Sequence, residues 1–402
     1  MSRGFLKILM LTQFLDPTRG GGESIIYQIA NKLSKRGHKI SIIKHKITGG
    51  RYAYNNNIQV IEISPAIEHK GQLPASFLQN FLYIINCVRS GLKIIKNEKT
   101  HIIHANNYTP VFAGWLISKL TRRPMVVTIH DVASLHGIDF WRKWMGQFGK
   151  LSYLKSLIGY VTELLTLWLA ENIHTVSTTS KKDILTLFPQ KKNNLWIISN
   201  GLDLEHYRVL DDEIKYGNEM TFIGRLVFYK NLDVVLKALS LIPENVNFKL
   251  TILGNGPMRQ EWEKLSAKWG VSEKVSFLGY VSHEQKVRVL RRISALVLPS
   301  FFEGFGIVIL EAWAFKKPVI VADVSPLNEI VEHGRDGFVA DPYNPEEWAK
   351  YVKLLLENKD LAQKMGENGY EKLINHYTIE KTVDKLERLY KQIIFTKELS
   401  IH

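Results

Sequence analysis

The sequence contains very little cysteine and no long uninterrupted hydrophobic run. Of its 402 residues only Cys87 is a cysteine, so no disulfide can form within the chain, which suits a reducing compartment. No apolar stretch reaches the roughly 18 residues that a membrane-spanning helix needs. The apolar start "FLKILMLTQFL" lacks a small-residue cleavage site, so we expect a buried first strand rather than a signal peptide. These absences predict a cytoplasmic protein, either free in solution or peripheral on the membrane.

Two common ligand-binding motifs are also missing. The glycine loop Gly20-Gly21-Gly22-Glu23 does not read GxGxxG, so the fingerprint of dinucleotide binding is not supported. The sequence has no Asp-x-Asp pair to hold a divalent cation. We therefore expect neither a bound metal ion nor a resident cofactor.

Positive charge is concentrated in the first half of the chain. Residues 1–200 contain 26 lysines and arginines against 10 aspartates and glutamates, a net charge of +16, whereas residues 201–402 contain 27 against 29, a net charge of −2. Such an excess indicates an anionic partner for the first half, a nucleic acid or a membrane surface. The alternative is a solvated basic surface that keeps the protein soluble.

Apolar strand-like segments alternate with amphipathic helical segments along the whole chain. This alternation predicts parallel sheets covered by helices on both faces. It runs through two series, and the length suits two domains. We therefore predict an α/β protein with two doubly wound, Rossmann-like domains.

The predicted linker is the stretch "IISNGLDLEHY" with the acidic residues that follow it. Asn-Gly favours a turn, and the charge balance changes at this point. We predict an N-terminal domain over 1–205, a C-terminal domain over 206–375 and a terminal helix within 376–402 that packs back toward the N-terminal domain.

Polar residues and glycines stand where several predicted strands end, the place where open parallel sheets bind ligands. His130 follows "PMVVTI", Arg225 and Lys230 bracket the loop "GRLVFYKN", and Gly254 follows "LTIL". Two cations at the start of a helix can hold a diphosphate. Taken singly, these features fit an ordinary turn or a solvated surface at least as well as a binding site.

The segment "EGFGIVILE" places Glu303 and Glu311 eight positions apart. We predict a loop over its first part and a helix over its second, because Gly304 and Gly306 disfavour a helix at the start. Glu303 can then accept hydrogen bonds from hydroxyl groups, and the open backbone N–H groups can bind an anion. The side chain of Glu311 points back toward the helix N-terminus.

Together these motifs resemble glycosyltransferase family 4, the retaining, nucleotide-sugar-dependent transferases of GT-B fold. The matching stretches are "EGFG" with Glu311-Ala312, "GRL" with Lys230, "SNGLD" at 199–203, "VSTTSKKDI", "FLGYVS", "GRDGFVADP" and the glycine loop. The resemblance covers nearly the whole chain and is most specific in the second half. It implies two domains that face each other across a cleft.

The resemblance also implies roles for individual residues. The implied donor-binding set is Gly21, Gly22, Arg225, Lys230, Gly254, Tyr280, Val281, Glu303, Gly304, Phe305, Gly306, Ile307 and Glu311. Within it, Arg225 and Lys230 would hold the diphosphate, Glu303 the sugar hydroxyls and Glu311 the ribose, with the base near the backbone of Tyr280 and Val281. The implied catalytic residues are His130, Arg225, Lys230 and Glu303, with His130 on the transferred sugar.

The expected activity is retaining, metal-independent transfer of a hexose-type sugar from a UDP or GDP sugar to the hydroxyl of a saccharide or lipid-linked acceptor. A nucleotide-sugar epimerase of the same architecture is the alternative. A nucleic-acid-binding protein ranks below both, because the sequence shows no helix-turn-helix or aromatic-basic RNA motif, and we expect no nucleic-acid partner. One departure from the family pattern is Lys316, which stands where glycine is usual.

The segment after His130 combines aromatic and basic residues at helical spacing. This pattern is typical of an amphipathic helix at a membrane interface. It predicts a face toward an anionic membrane or the acceptor, formed by Trp141, Arg142, Lys143, Trp144 and Phe148. Two alternatives are that the segment covers the core of the first domain, or that it forms a lid over the acceptor.

Overall fold

A computed structural model describes residues 4–17, 20–47, 54–67, 76–147, 152–207 and 216–399. The chain divides into two compact units. The first unit contains the described residues up to Met145, residues 152–200 and the segment from Ile379; the second contains the residues between Gly201 and Thr378. The division after Asn200 lies five residues before the boundary that the sequence predicts.

The first unit is built on a seven-stranded sheet in which every described pairing is parallel. Its strands are β1 (Lys7–Leu11), β2 (Lys39–Ile47), β3 (Ile58–Ile67), β4 (Ile102–Asn106), β5 (Met125–Ile129), β6 (Asn172–Thr175) and β7 (Leu195–Ile197). Their order across the sheet is β3-β2-β1-β4-β5-β6-β7. Strands β4 and β5 are buried along their whole length, as expected for a sheet with helices on both faces.

Six helices and a terminal helix surround this sheet. They are α1 (Gly21–Lys35), α2 (Phe77–Glu98), α3 (Tyr108–Thr121), α4 (Gly137–Gly146), α5 (Ser152–Leu169) and α6 (Thr178–Leu187), with 3₁₀ turns at Ala133–His136 and Pro189–Asn194. The terminal helix, named α14 below, spans Ile379–Leu399. Helix α2 begins at a capping box in which the Ser76 and Gln79 side chains each bond the other's backbone N–H, which satisfies donors that the first turn leaves unpaired.

The terminal helix is anchored to the first unit by a chain of buried polar groups. The Tyr390 hydroxyl lies 2.6 Å from His104 Nδ1, and His104 Nε2 lies 2.6 Å from Thr128 Oγ1. Thr128 Oγ1 lies 3.1 Å from His174 Nδ1, and His174 Nε2 lies 2.9 Å from the Ile198 carbonyl. Because the last acceptor is a carbonyl, every group in the chain finds a partner when both histidines are neutral.

The second unit contains a six-stranded sheet whose described pairings are also all parallel. Its strands are β8 (Glu219–Ile223), β9 (Lys249–Leu253), β10 (Val275–Gly279), β11 (Ala295–Leu298), β12 (Val319–Ala322) and β13 (Gly337–Ala340). Their order is β10-β9-β8-β11-β12-β13. The chain therefore reverses its direction of travel across the sheet between β8 and β11, which makes this pair the topological switch point.

Helices cover this sheet as the alternating pattern predicts. They are α7 (Leu232–Ser240), α8 (Arg259–Lys268), α9 (His283–Arg292), α10 (Ile307–Ala314), α11 (Leu327–Ile330), α12 (Pro345–Glu357) and α13 (Lys359–His376), with 3₁₀ turns at Leu204–Tyr207, Phe228–Lys230 and Ser272–Lys274. Trp262, Trp313 and Trp348 are each fully buried beneath these helices. The prediction of two doubly wound α/β domains is confirmed.

Lys316 occupies a left-handed turn after α10, with a φ of 53°. Side chains with a Cβ are strained in this region, and glycine is not. The turn is fixed by Tyr216, whose hydroxyl donates to the Lys316 carbonyl over 2.6 Å. Lysine therefore occupies a left-handed turn position at which the family pattern usually has glycine.

Replacing Lys316 by glycine is expected to raise the free energy of unfolding by roughly 0.5–1 kcal/mol, because relief of the left-handed strain exceeds the added freedom of the unfolded chain. Little is lost in exchange, since the Lys316 ammonium makes only long contacts at the surface, 4.0 Å to Glu367 and 5.8 Å to the centre of the Tyr370 ring. Urea unfolding measures the change. Lys364→Gly, at an exposed position inside α13, is the matched control and should destabilise by about 1 kcal/mol. Destabilisation by Lys316→Gly would contradict this account.

Candidate active site

The loops that follow β8 and β11 bring together a lysine and a glutamate from distant parts of the sequence. Lys230 ends the 3₁₀ turn after β8, and Glu303 lies in the loop after β11. The ammonium group of Lys230 forms an ion pair with Oε1 of Glu303, and each side chain is 12% exposed. The pair is therefore partly shielded from water yet open at the carboxyl edge of the sheet, where ligands of such folds bind.

Two aromatic residues hold the cations of this loop in place. The Tyr229 hydroxyl accepts a hydrogen bond from Arg225 Nη2 over 3.0 Å. The Tyr229 ring lies 5.5 Å from Lys230 Nζ and packs edge-on against Phe302. Arg225 itself is exposed, so its guanidinium can reach a ligand without first being uncovered.

Asn231 ties the two loops to a third. It adopts a left-handed conformation with a φ of 52°, and its Nδ2 donates to the carbonyls of Pro299 and Pro342 over 3.2 and 2.8 Å. These carbonyls follow β11 and β13. A further bond joins the Phe301 N–H to the Tyr229 carbonyl over 3.0 Å. The loop of Lys230 and the loop of Glu303 are therefore held in fixed register.

Helix α10 begins directly after the loop of Glu303. Its N-cap is Gly306, which has a φ of 87°, a conformation that only glycine adopts readily. A Cβ at Gly306 would also lie 2.9 Å from Leu327 Cδ2. Ile307 is the first residue of the helix, and the N–H groups of its first turn are an anion-binding site by their nature.

Close backbone approach explains the glycine turn after β9. A Cβ at Gly254 would lie 1.9 Å from the Gly224 carbonyl oxygen, and one at Gly256 would lie 2.2 Å from that of Leu226. Gly254 also has a φ of 137°. These glycines let the turn after β9 lie directly against the loop that carries Arg225.

Glu311 is a buried carboxylate with one oxygen in use and one without a partner. Its Oε1 accepts from the Tyr207 hydroxyl over 2.7 Å and from Lys286 Nζ over 2.6 Å. Its Oε2 is buried and has no hydrogen-bond partner among the described residues. Burial, and then the neighbouring Glu311, raise the pKa of Tyr207 well above its usual value, so its hydroxyl stays a donor. A buried carboxylate oxygen of this kind is suited to accept from a ligand hydroxyl.

In the first unit, the glycine loop and His130 lie next to each other. A Cβ built at Gly22, in the first turn of α1, would lie 3.9 Å from His130 Nε2. That nitrogen is buried and has no hydrogen-bond partner among the described residues. Burial, and then His174, lower the pKa of His130 to about 4. The imidazole is therefore neutral near pH 7, and its Nε2 can donate or accept one hydrogen bond with a ligand, depending on the tautomer.

Two family patterns match the chain, one in each half. The family described as Glycosyltransferase Family 4 matches residues 19–206, and the one described as Glycosyl transferases group 1 matches residues 212–372. The chain belongs to glycosyltransferase family 4. The resemblance inferred from its motifs is confirmed, and glycosyltransferase activity follows from the family.

Known glycosyltransferases resemble this one over almost their whole length. An uncharacterised glycosyltransferase of Methanocaldococcus jannaschii is 26% identical over 96% of this chain and 98% of its own. The structure of sucrose-phosphate synthase from Thermosynechococcus elongatus superposes with a TM-score of 0.80 at 19% identity, covering 97% of this chain and 100% of the other. Anabaena HepE in complex with UDP and glucose gives 0.72 at 19% identity, covering 96% and 100%. These likenesses show the GT-B fold.

The structure places the predicted donor-site residues of this glycosyltransferase around the carboxyl ends of the second sheet. Arg225 and Lys230 follow β8, Gly254 follows β9, and the segment from Glu303 to Ile307 follows β11. Tyr280, 55% exposed, and Val281 follow β10. Gly21, Gly22 and His130 belong to the first unit and are close to one another.

The predicted membrane or acceptor face in the first unit needs correction. Trp141 is only 4% exposed, and a Cβ at Gly159 would lie 2.4 Å from its ring, so Trp141 packs into the unit rather than facing outward. Trp144 is half-buried, whereas Arg142 and Lys143 are exposed. Phe148 lies outside the described residues. Trp141 instead covers the core of the first unit, which is one of the two alternatives given for this segment, because α5 packs against α4 at this point.

Three residues of the site carry no signal in the sequence. Tyr207 and Lys286 hold Glu311 from 104 and 25 positions away, and Asn231 bonds two loops that lie 68 and 111 positions from it. Each belongs to a segment that reads as ordinary turn or helix. Only the tertiary structure brings them to the site.

No helix among the described residues is long and apolar enough to cross a bilayer.

Proposed function

We propose that this glycosyltransferase moves a hexose-type sugar from a UDP or GDP sugar to an acceptor hydroxyl, with retention of anomeric configuration and without a metal ion. The acceptor in this proposal is a lipid-linked glycan or a glycolipid. The observation that carries the proposal is the Lys230–Glu303 pair at the switch point between β8 and β11. This is the place and the chemistry that a donor with an anionic diphosphate and a hydroxyl-rich sugar requires.

The diphosphate would be held by Arg225, Lys230 and the N-terminus of α10. Two cations and the free N–H groups of a helix start stabilise the charge that grows on the departing diphosphate. Tyr229 and Asn231 keep these groups in place, so little reorganisation is needed when the charge develops. This electrostatic role is the one that a divalent cation fills in other transferases.

Glu303 would bind the hydroxyls of the transferred sugar. Without donor, its carboxylate and the ammonium of Lys230 satisfy each other. A donor sugar offers both groups new partners: a phosphate for the lysine and hydroxyls for the carboxylate. The exchange keeps both charges paired, which avoids the cost of an unpaired, partly buried charge.

Glu311 would bind the ribose through its Oε2. Tyr207 and Lys286 occupy Oε1 and fix the orientation of the carboxylate. A charged acceptor of this kind contributes more than a neutral one. The base would lie near the backbone of Tyr280 and Val281, as the family resemblance implies.

For the first unit, the resemblance assigns His130 to the transferred sugar and Gly21 and Gly22 to the phosphates, and we keep both assignments as part of the proposal.

In the transfer step the bond from the anomeric carbon to the diphosphate oxygen breaks, and a bond to the acceptor oxygen forms on the same face. The acceptor proton passes to the departing phosphate oxygen. Atoms and charge therefore balance without an added oxidant or reductant. The complex of HepE with UDP and glucose supports a uridine donor.

A thermal-shift panel of UDP, GDP and ADP with their sugars tests the donor assignment. A ligand that binds only the folded state raises the melting temperature, and we expect UDP or GDP to do so and ADP not to. The 2′- and 3′-deoxyribose analogues of the best ligand are the matched probes, and loss of the hydroxyl that Glu311 binds should weaken binding roughly 10-fold or more. If no nucleotide shifts the melting temperature, the assignment of UDP or GDP as donor nucleotide is wrong. If the ribose nucleotide and both deoxyribose analogues bind with equal affinity, the assignment of Glu311 to the ribose is wrong.

A further inference from the structure

Helix α5 exposes a continuous apolar face that the donor site does not use. Its exposed side chains are Tyr153, Leu154, Leu157, Ile158, Val161, Leu165 and Trp168, each between 40% and 60% exposed. At about 100° per residue they fall within an arc of about 140°. Soluble proteins seldom leave so continuous an apolar stripe in water without a partner.

The opposite face of α5 is fixed in the first unit. Leu167 and Thr166 are fully buried, and Ser156 Oγ donates to the Trp141 carbonyl over 3.1 Å. The buried carboxylate of Glu163 accepts from the Tyr108 hydroxyl over 2.8 Å and from the Ala133 N–H over 3.1 Å. The helix cannot turn its apolar stripe inward without breaking these contacts.

Positive charge borders the first end of the stripe, and both signs of charge occur at its other end. At the first end, Lys155 and Lys143 are exposed, and the guanidinium of Arg142 lies 5.3 Å from the centre of the Tyr153 ring and 3.3 Å from Asp139. At the other end, Lys191 Nζ donates to the carbonyls of Trp168 and Ala170 over 2.9 and 2.6 Å, and the exposed Glu171 pairs with Lys119. The only acid within Ser152–Leu169 is Glu163, and it is buried.

We propose that the exposed face of α5 docks on an anionic lipid bilayer, lying in the plane of the interface. The apolar stripe would enter the boundary between headgroups and acyl chains, and Lys143 and Lys155 at its first end would contact anionic headgroups. Tyr153 and Trp168 are of the amphipathic type that favours this boundary. A second copy of the chain fits less well, because residues 1–200 carry a net charge of +16, which repels a like surface and attracts an anionic one.

This inference deepens the proposed function and rests on it only for the lipid nature of the acceptor. Docking through α5 would hold the loop that follows β5 near the bilayer, because Glu163 of α5 binds the backbone of the 3₁₀ turn Ala133–His136. His130 is the first residue of that loop. The enzyme would then meet a lipid-linked acceptor by diffusion in two dimensions.

Vesicle flotation of the full chain tests the docking. We expect binding to phosphatidylcholine vesicles that contain phosphatidylglycerol, weaker binding to phosphatidylcholine alone, and loss of the difference at high salt. The triple variant Leu154→Ser, Leu157→Ser, Leu165→Ser should lower the partition coefficient about 100-fold or more, because each leucine contributes apolar area. Phe395→Ser, which changes a side chain 63% exposed on α14, is the matched control and should bind as the unchanged protein does.

Two results would overturn the inference. One is equal binding of the triple variant and the unchanged protein to anionic vesicles. The other is a dimer in sedimentation that the triple variant converts to a monomer while neither form binds vesicles, which would make a second copy the occupant. The nucleotide-induced thermal shift of the triple variant separates this question from the donor site. It should stay unchanged, and its absence from every variant would count against the proposed function alone.

Discussion

Replacing Lys230 or Glu303 by alanine is expected to lower kcat/KM for sugar transfer by roughly 10²- to 10⁴-fold. Lys230→Ala removes a cation from the place where charge develops on the leaving diphosphate, and such groups are worth about 10²–10³ in rate. It also leaves Glu303 without its ion-pair partner in a site where each side chain is 12% exposed. Steady-state kinetics with the donor found in the thermal-shift panel measures the loss.

The double variant separates mutual support from independent roles. Lys230 and Glu303 pair with each other, so each single variant leaves one charge without its partner. The loss in kcat/KM of the double variant should therefore be smaller than the two single losses combined. Glu303→Gln tests whether the charge or only the acceptor oxygen matters. Lys237→Ala, an exposed lysine on α7, is the control and should leave kcat/KM unchanged. Losses below about threefold in both single variants would contradict the assignment.

Acidification is expected to destabilise the protein by several kcal/mol between pH 7 and pH 4. Burial lowers the pKa of His104 to about 3 and the pKa values of His45, His130 and His174 to about 4. The unfolded chain binds protons at these histidines near the ordinary value of 6.5, whereas the folded chain does not until about pH 4. Stability therefore falls as pH drops below about 6.5 and levels off below the folded pKa values.

The size of this effect follows from the shifts themselves. A histidine with a folded pKa of about 4 loses about 2 kcal/mol of stabilisation by pH 5. Urea unfolding from pH 7 to pH 4.5 measures the sum. His104→Gln should lower stability at pH 7 and reduce the slope with pH, because one buried titrating group is gone. A stability that is constant over this range would contradict the buried neutral state of these histidines.

The same histidines explain where the pH effect should act first. His104 bonds the Tyr390 hydroxyl of α14, so protonation of its Nδ1 removes the acceptor that anchors this helix. The ion pairs of Arg36, which directly follows α1, with Asp384 and Glu387 of α14 remain. Amide hydrogen exchange measures this. We expect α14 to lose its protection from exchange at a higher pH than the strands do.

Much of the site could be predicted from the sequence because its residues lie at strand ends. Strands in a parallel sheet end on one edge, so Arg225, Gly254 and Glu303 had to lie near one another once the alternating pattern was recognised. The helix start at Ile307 followed from the glycines around Phe305. The resemblance to a family then assigned roles that spacing alone could not.

The remaining features depend on contacts between segments far apart in the chain. Lys286 lies on α9, a helix rich in charged residues, and nothing in its sequence separates it from the exposed Arg288. The aromatic spacing of α4 predicted an outward face, but Trp141 packs against Gly159 of α5. The exposed stripe belongs to α5 instead. Which of two adjacent amphipathic helices faces outward is decided by packing, and a single sequence does not encode it in periodicity.

The central claim is that the edge of the second sheet between β8 and β11 binds the nucleotide-sugar donor. The most direct measurement is a crystal structure of the protein soaked with the nucleoside diphosphate that gives the largest thermal shift. The account predicts diphosphate density on Arg225, Lys230 and the first N–H groups of α10, with a ribose hydroxyl on Oε2 of Glu311. A nucleotide bound elsewhere, or one at this edge whose ribose does not contact Glu311, would contradict it.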